Sequence, residues 1–335
     1  MQQISGFWAG AIKYRSKIDL WKLSRVRGGW NNLEGCTASE LMQCGLSRSV
    51  AADWLGGVEY QTSAKPVCMA DPEYPARLRR VPGAPPVLFF EGESGVLRRK
   101  CVAVVGTRNC TRYGMNIASR LASGLCANGV VVISGLARGI DSYAHRSTLE
   151  RGQTVAVLAH GLAHTAPASN RRLREQILNN GGLLVSEWPD DVPPQPFRFP
   201  VRNRWIASLS DAVVVIQAPL RSGSLITARF AAEIGRDVWV IPDQLGNPSS
   251  DGGLKLLSEG ASLIWSLDEW LKLWGDVATL RGESWLNDVM EGHSLDSVAR
   301  NSGQSISEIL SALGQMEMTG RIVRLSGHRY VFSGD

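Results

Sequence analysis

From Cys101 to about Trp265 the chain alternates short, mostly apolar β-branched runs with longer amphipathic stretches. The apolar runs are Cys101–Val105, Val130–Ser134, Thr154–Leu158, Leu183–Ser186, Ala212–Ile216, Asp237–Ile241 and Ser262–Trp265. Unbroken apolarity in β-branched runs marks strands covered on both faces, as in a parallel sheet. The intervening periodicity predicts helices over Tyr113–Cys126, Ile140–Glu150, Arg171–Asn179, Ser224–Ile234 and Gly253–Glu259. Strand and helix in alternation give an α/β fold, a mostly parallel sheet between helical layers. Right-handed crossovers then bring every strand-to-helix loop to the carboxyl edge of the sheet, where ligands of such folds bind.

The flanks read differently. Upstream, helical patterns at Leu20–Val26, Ala38–Cys44 and Arg48–Leu55 are broken by glycine-rich turns, which predicts a small helical domain over residues 1–65. Prolines between Asp71 and Phe90 break any helix and lead into an extended apolar stretch. Downstream of a mixed linker after Trp274, three helical segments (Ser284–Met290, Ser294–Asn301, Ser305–Met318) precede two alternating strands around Ser326 and Gly327. Helix, helix, helix, hairpin is the order of a winged helix, here over residues 282–333. The core between them spans residues 70–266.

Composition adds little. Lys and Arg number 36 against 31 Asp and Glu, a net charge of +5, which suits an anionic partner without demanding one. The six cysteines form no CxxC pair and have no histidine at zinc spacing, so buried reduced thiols are expected and no metal or other cofactor. Residues 1–15 hold no apolar leader core, and no apolar run approaches the ~20 residues of a membrane span. A cytoplasmic protein without membrane contact is the expectation.

The predicted strand ends are where chemistry gathers. Gly106-Thr107-Arg108-Asn109 follows the first core strand, with Gly114 near the start of the next helix. Glycines permit close backbone approach to a ligand, and a helix N-terminus offers free N–H groups to an anion. The patterns GxGxxG and GxxxxGK[ST] are absent, which disfavours nicotinamide dehydrogenases and P-loop NTPases. The second strand ends in Ser134-Gly135-Leu136-Ala137-Arg138-Gly139-Ile140-Asp141, followed by His145. Asp141 can cap the new helix with His145 in a supporting hydrogen bond, and an acid–base pair is the alternative. Pro200 to Arg204 precede a helix leading into the Ala212 strand. Arg202 and Arg204 can neutralise phosphates there, while Phe199 and Trp205 are core residues or stacking partners. Finally, Arg221-Ser222-Gly223-Ser224 opens a helix with Thr227 one turn on, an arrangement that suits an oxyanion beyond simple capping by Ser224.

Val104–Asn109, Ser134–Asp141, Phe199–Ala207 and Arg221–Arg229, in this order, resemble the DNA-processing protein A family (DprA, also called Smf) over about residues 70–265. The resemblance implies an extended Rossmann-like core that binds single-stranded DNA and forms a homodimer. It also implies a role in natural transformation (competence) and DNA recombination, protecting incoming strands and loading the RecA recombinase, with no enzymatic activity. Carried over, the DNA-binding set is Arg108, Arg138, Arg202, Asn203, Arg204, Ser222, Gly223 and Ser224, with Ser134, Gly135, Gly139 and Thr227 beside them. Two departures stand out: Ala166 occupies the place of a family tyrosine in the loop carrying His160 and His164, and the N-terminal region is short and divergent beside a helix-hairpin-helix or SAM-like domain. The rival reading is a nucleotide-processing phosphoribohydrolase of related fold. Its PGGxGT-type loop with a catalytic glutamate is missing, since Arg221–Ser224 carries no acid. A duplex-reading regulator is a third; the later helices of the winged module carry few basic residues beyond Arg300, which points that module toward protein contacts.

Overall fold

The structure, a computed structural model, describes residues 2–4, 6–274, 284–290, 292–302, 305–318, 322–325 and 329–332. These form two compact units, Met1–Trp265 and Ser266–Asp335.

In the first unit, strand β1 (Gln2–Ile4) pairs antiparallel with β2 (Tyr60–Thr62). The sheet that follows comprises β3 (Lys65–Cys68), β4 (Val87–Gly92), β5 (Cys101–Gly106), β6 (Val131–Ser134), β7 (Thr154–Leu158), β8 (Leu183–Ser186), β9 (Ala212–Ile216), β10 (Asp237–Ile241) and β11 (Ser262–Leu263). Its order is β11-β10-β9-β5-β6-β7-β8-β4-β3. All pairings from β11 to β8 are parallel, and β4 and β3 add an antiparallel margin. Every residue of β6, β7, β8 and β9 is buried, as the unbroken apolar runs require. From β5 the chain builds outward through β6, β7 and β8, then returns to β9 on the other side of β5. That reversal is a topological switch point, the place where ligands of such folds bind.

The expected helices are present with ends shifted by a residue or two, among them Arg112–Ala127, Ile140–Thr148, Arg171–Asn179 and Gly223–Glu233. A helix over Gly6–Tyr14 carries no amphipathic signal because Phe7, Trp8, Ala9, Gly10 and Ala11 are all buried. Its Gly10 lies flat on the Trp54 indole, where a Cβ would come within 2.4 Å of the ring. Trp8 and Trp54 share one buried apolar cluster with Phe89 and Phe90 of β4, so these helices and the sheet close a common core.

In the second unit, helices Ser284–Met290, Leu295–Ser302 and Ile306–Met318 precede the antiparallel strands β12 (Ile322–Leu325) and β13 (Arg329–Phe332). Trp285, Leu286, Val298, Ile309, Leu313, Ile322 and Tyr330 form its core. The expected linker past Trp274 and the turn at Ser326–Gly327 lie outside the described residues.

Candidate nucleic-acid interface

The crevice at the switch point holds a cavity of about 430 Å³ lined by the loops after β5, β6 and β9 and by helix Arg198–Leu209. A second cavity of about 340 Å³ adjoins it, sharing Arg108, Ala137 and Phe199 and adding Asn109, Arg138, Ala166 and Pro167. Together they run along the carboxyl edge of the sheet.

The loop after β6 is held rigidly. Asp141 accepts from the backbone N–H of Gly135 at 3.1 Å and of Ala137 at 3.3 Å. Asn170 donates to the carbonyls of Leu136 and Ala137 and to Ser142 Oγ. Gly139, not Asp141, is the N-cap of the following helix; its φ of +73° and a would-be Cβ 2.3 Å from the Thr107 carbonyl leave room for no other residue. His145 is buried, accepts the Leu136 N–H at Nε2, and meets Thr154 Oγ1 at 2.8 Å through Nδ1. The Thr154 hydroxyl donates to the Val132 carbonyl, so Nδ1 carries the proton and the ring is neutral. Burial, and secondarily the charge of Arg202, push its pKa down to about 3. The capping reading is therefore corrected to a structural one: Asp141 braces the loop before the helix, and His145 bonds Leu136 and Thr154.

Helix Arg198–Leu209 contains the segment that the sequence reading placed before it. Pro200 falls in its first turn, where a missing N–H costs nothing. This placement sorts the arginines. Arg202 is 3% exposed and donates from Nη1 to the carbonyls of Gly135 (2.5 Å) and Val157 (2.6 Å), and from Nε to Asn203 Oδ1. Burial lowers its pKa to about 10, which keeps it charged at neutral pH, opposite the buried Asp141. Burial raises the Asp141 pKa, against the pull of Arg202 and the N–H bonds. Arg204 turns away from the cavity and stacks over Phe230 at 4.6 Å and Trp205 at 5.5 Å. Ser134 is buried and donates to the Val104 carbonyl. In this conformation Arg202 and Ser134 make hydrogen bonds to the backbone and Arg204 stacks on Phe230, while Arg202 also lines the cavity. The sequence pattern was blind to this because consecutive positions on a helix face different ways.

Other residues of the expected set converge on the cavities. Arg108 and Arg138 are exposed, and Arg108 lies over Phe199 at 5.4 Å. Asn203 donates to the Gly223 carbonyl and links the two elements flanking the cavity. Ser222, rather than Ser224, is the N-cap of helix Gly223–Glu233 and accepts the Ser224 N–H; the two hydroxyls lie 2.7 Å apart. Ser224 and Thr227 are buried in the cavity wall. Arg221, exposed on the rim just before that cap, joins the site although the sequence reading left it out of its set. Arg108, Arg138 and Arg221 have no carboxylate partner among the described residues. Gln217 escaped notice too. Its φ is +48°, its carbonyl accepts the Thr107 N–H, and its side chain joins Thr111 to Asp243, so it ties the β5 loop to the β9 loop. Only the three-dimensional convergence marks it. His160 of the neighbouring loop is buried, its ring bonded to the Gly161 carbonyl and the Ala166 N–H, a structural histidine.

Comparison with known proteins identifies the family. Residues 65–275 match the family model of DNA recombination-mediator protein A, and residues 291–328 match the DprA winged helix domain. Protein Smf of Escherichia coli is 39% identical over 280 residues, 77% of this chain and 75% of the relative. DNA processing protein DprA of Bacillus subtilis is 39% identical over 199 residues, 59% of this chain and 67% of the relative. The structure of DNA processing protein A from Streptococcus pneumoniae superposes with a TM-score of 0.70 at 31% identity, covering 80% of this chain and 98% of that one. That of DNA processing protein A from Helicobacter pylori, described with a single-stranded DNA binding mode, gives 0.57 at 30% identity over 67% of this chain and 99% of that one. With its winged helix and its loop-lined switch point, the chain belongs to the DNA recombination-mediator protein A (DprA/Smf) family.

Proposed function

We propose that this protein binds single-stranded DNA along the carboxyl edge of its sheet, protects incoming strands and loads a RecA recombinase onto them in natural transformation and recombination, without catalysing a reaction. The observation that carries the reading is three exposed arginines without carboxylate partners, Arg108, Arg138 and Arg221, around cavities that also receive the N-terminus of helix Gly223–Glu233. Cationic and N–H groups spaced along an edge suit successive phosphates, and Phe199 beside Arg108 offers a face for bases. The carboxylate lining the larger cavity, Asp141, is committed to the β6 loop, which supports binding over hydrolysis.

A homodimer through the core is part of the same proposal. Leu263 and Trp265 are 46% and 77% exposed beside the margin strand β11, an apolar edge that a second copy would cover. The proposal places the protein in the cytoplasm; no described helix is long and apolar enough to cross a membrane.

The test is a salt titration of the purified protein on oligo-dT and on a duplex of equal length. Preference for the single strand, with affinity falling steeply as salt rises, is the expected result. Equal affinity for both, or binding to neither, overturns the reading.

A further inference from the structure

The segment from Glu187 to Arg198 joins β8 to the helix that carries Phe199, Arg202 and Asn203 into the cavity wall. It is fastened on two sides. On one side, Arg15, just past the end of helix Gly6–Tyr14, donates from Nη1 to Glu187 Oε2 at 2.7 Å. Its guanidinium lies 4.1 Å from the centre of the Trp188 ring. The guanidinium of Arg198, the first residue of the site helix, lies 4.6 Å from the same ring. Arg198 also donates to the Pro193 carbonyl. Ser63, next to β2, adds a second fastening through its N–H and hydroxyl to Asp190 Oδ2, at 2.7 and 2.8 Å.

On the other side, the same segment holds the loop that lines the second cavity. The carbonyls of Val192 and Asp190 accept the N–H groups of Gly161 and Ala163, and the Asp191 carbonyl meets His164 Nε2. That loop runs on to Ala166 and Pro167 in the cavity wall. One short strap thus sets both the start of the site helix and the wall facing it, and Arg15 anchors the strap at its buried end. Glu187 is 5% exposed, and Arg15 is the cation hydrogen-bonded to it, with the charge of Arg198 also acting on it. Without Arg15 the buried Glu187 carboxylate loses its ion pair, which favours its protonation or an outward shift of that segment.

We propose that Arg15, through Glu187 and Trp188, is a positioning residue for the single-strand site, so that the N-terminal helices tune DNA affinity without touching DNA. The proposal rests on the single-strand reading of the site. The Arg15 side chain is a quarter exposed, so truncation opens no sealed apolar cavity and the Arg15→Ala variant is expected to fold. Two measurements on the full chain test it.

Hydrogen exchange of the free protein is expected to accelerate at least tenfold over residues 187–200 in Arg15→Ala, with the β5 and β9 amides unchanged. Oligo-dT affinity is expected to fall at least fivefold, with the slope of log affinity against log salt unaltered, because no phosphate contact is lost. Arg15→Lys, which keeps the charge beside Glu187 but not the planar stack on Trp188, is expected to fall between. Unchanged exchange over 187–200, or affinity within twofold of wild type, overturns the proposal. A shallower salt slope overturns it too, since it would make Arg15 a phosphate contact. If the wild-type protein fails to bind oligo-dT, the functional reading falls, and the exchange result still decides whether Arg15 anchors the strap.

Discussion

The backbone beneath the site and the arginines around its rim are built on opposite plans. The loop after β6 is saturated: Asp141, Asn170, His145 and Arg202 occupy its N–H and carbonyl groups, and each of these side chains is buried. The rim formed by Arg108, Arg138 and Arg221 ends in charges with no carboxylate partner among the described residues. The contrast shows how a chain with a net charge of only +5 can make an anion site. A few cations need to be left unpaired at one place, and buried polar bonds must hold the backbone beneath them still. An arginine therefore matters in two unrelated ways here, and stability and binding measurements can separate them.

Removing the brace is expected to have the largest effect. Arg202→Ala strips donors from the Gly135 and Val157 carbonyls and leaves Asp141 without its counter-charge. Breaking such a buried set costs about 3–5 kcal/mol, on the order of a 10 °C fall in melting temperature. Calorimetry checks it; a fall below 2 °C would mean that the β6 loop does not depend on its brace.

Acid should reach the same loop. His145 has its folded pKa depressed to about 3, against about 6.5 unfolded. Between those values the unfolded chain binds the extra proton, so stability is complete above about pH 6.5 and is lost as pH falls. The expected slope approaches 1.4 kcal/mol per pH unit for this group. Asp141 runs the other way, because its raised pKa favours the fold at lower pH and offsets part of the loss. Urea midpoints at pH 6.5 and 4.5, for wild type and His145→Gln, measure this. A variant that keeps the full pH dependence would acquit His145.

The rim should behave in the reverse manner. Arg221→Ala is expected to leave the melting temperature unchanged, weaken oligo-dT binding about tenfold, or about 1.4 kcal/mol, and reduce the salt slope by about 0.7. Arg108→Ala should match it. A loss of stability in either variant would erase the distinction between rim and brace.

The centre of the sheet was legible in the sequence because strands β5 to β9 are buried on both faces. Thr154–Leu158, Leu183–Ser186, Ala212–Ile216 and Asp237–Ile241 begin and end where their apolar runs do. Helix Gly6–Tyr14 was not legible, since burial on all sides removes the periodicity that announces a helix. For the site, the loops could be read, but the direction of each side chain could not. Arg202 and Arg221 look alike as letters. One lies under the Gly135 loop and the other on the rim because the first sits inside a helix facing the sheet and the second just before a helix begins.

Arg204 gives the smallest effect and the finest discrimination. It lies two residues from Arg202 in a segment that resembles the family's, and that resemblance alone implies a DNA contact. Its guanidinium instead stacks over Phe230 at 4.6 Å, and it does not line the cavity. A partly buried cation–π contact is worth about 0.5–2 kcal/mol. Arg204→Ala should therefore lower stability by about 1 kcal/mol while oligo-dT affinity and its salt slope stay within twofold of wild type. If affinity instead drops tenfold and the slope becomes shallower, Arg204 must leave Phe230 when DNA arrives, and the line between brace and rim would have to be drawn through the bound state.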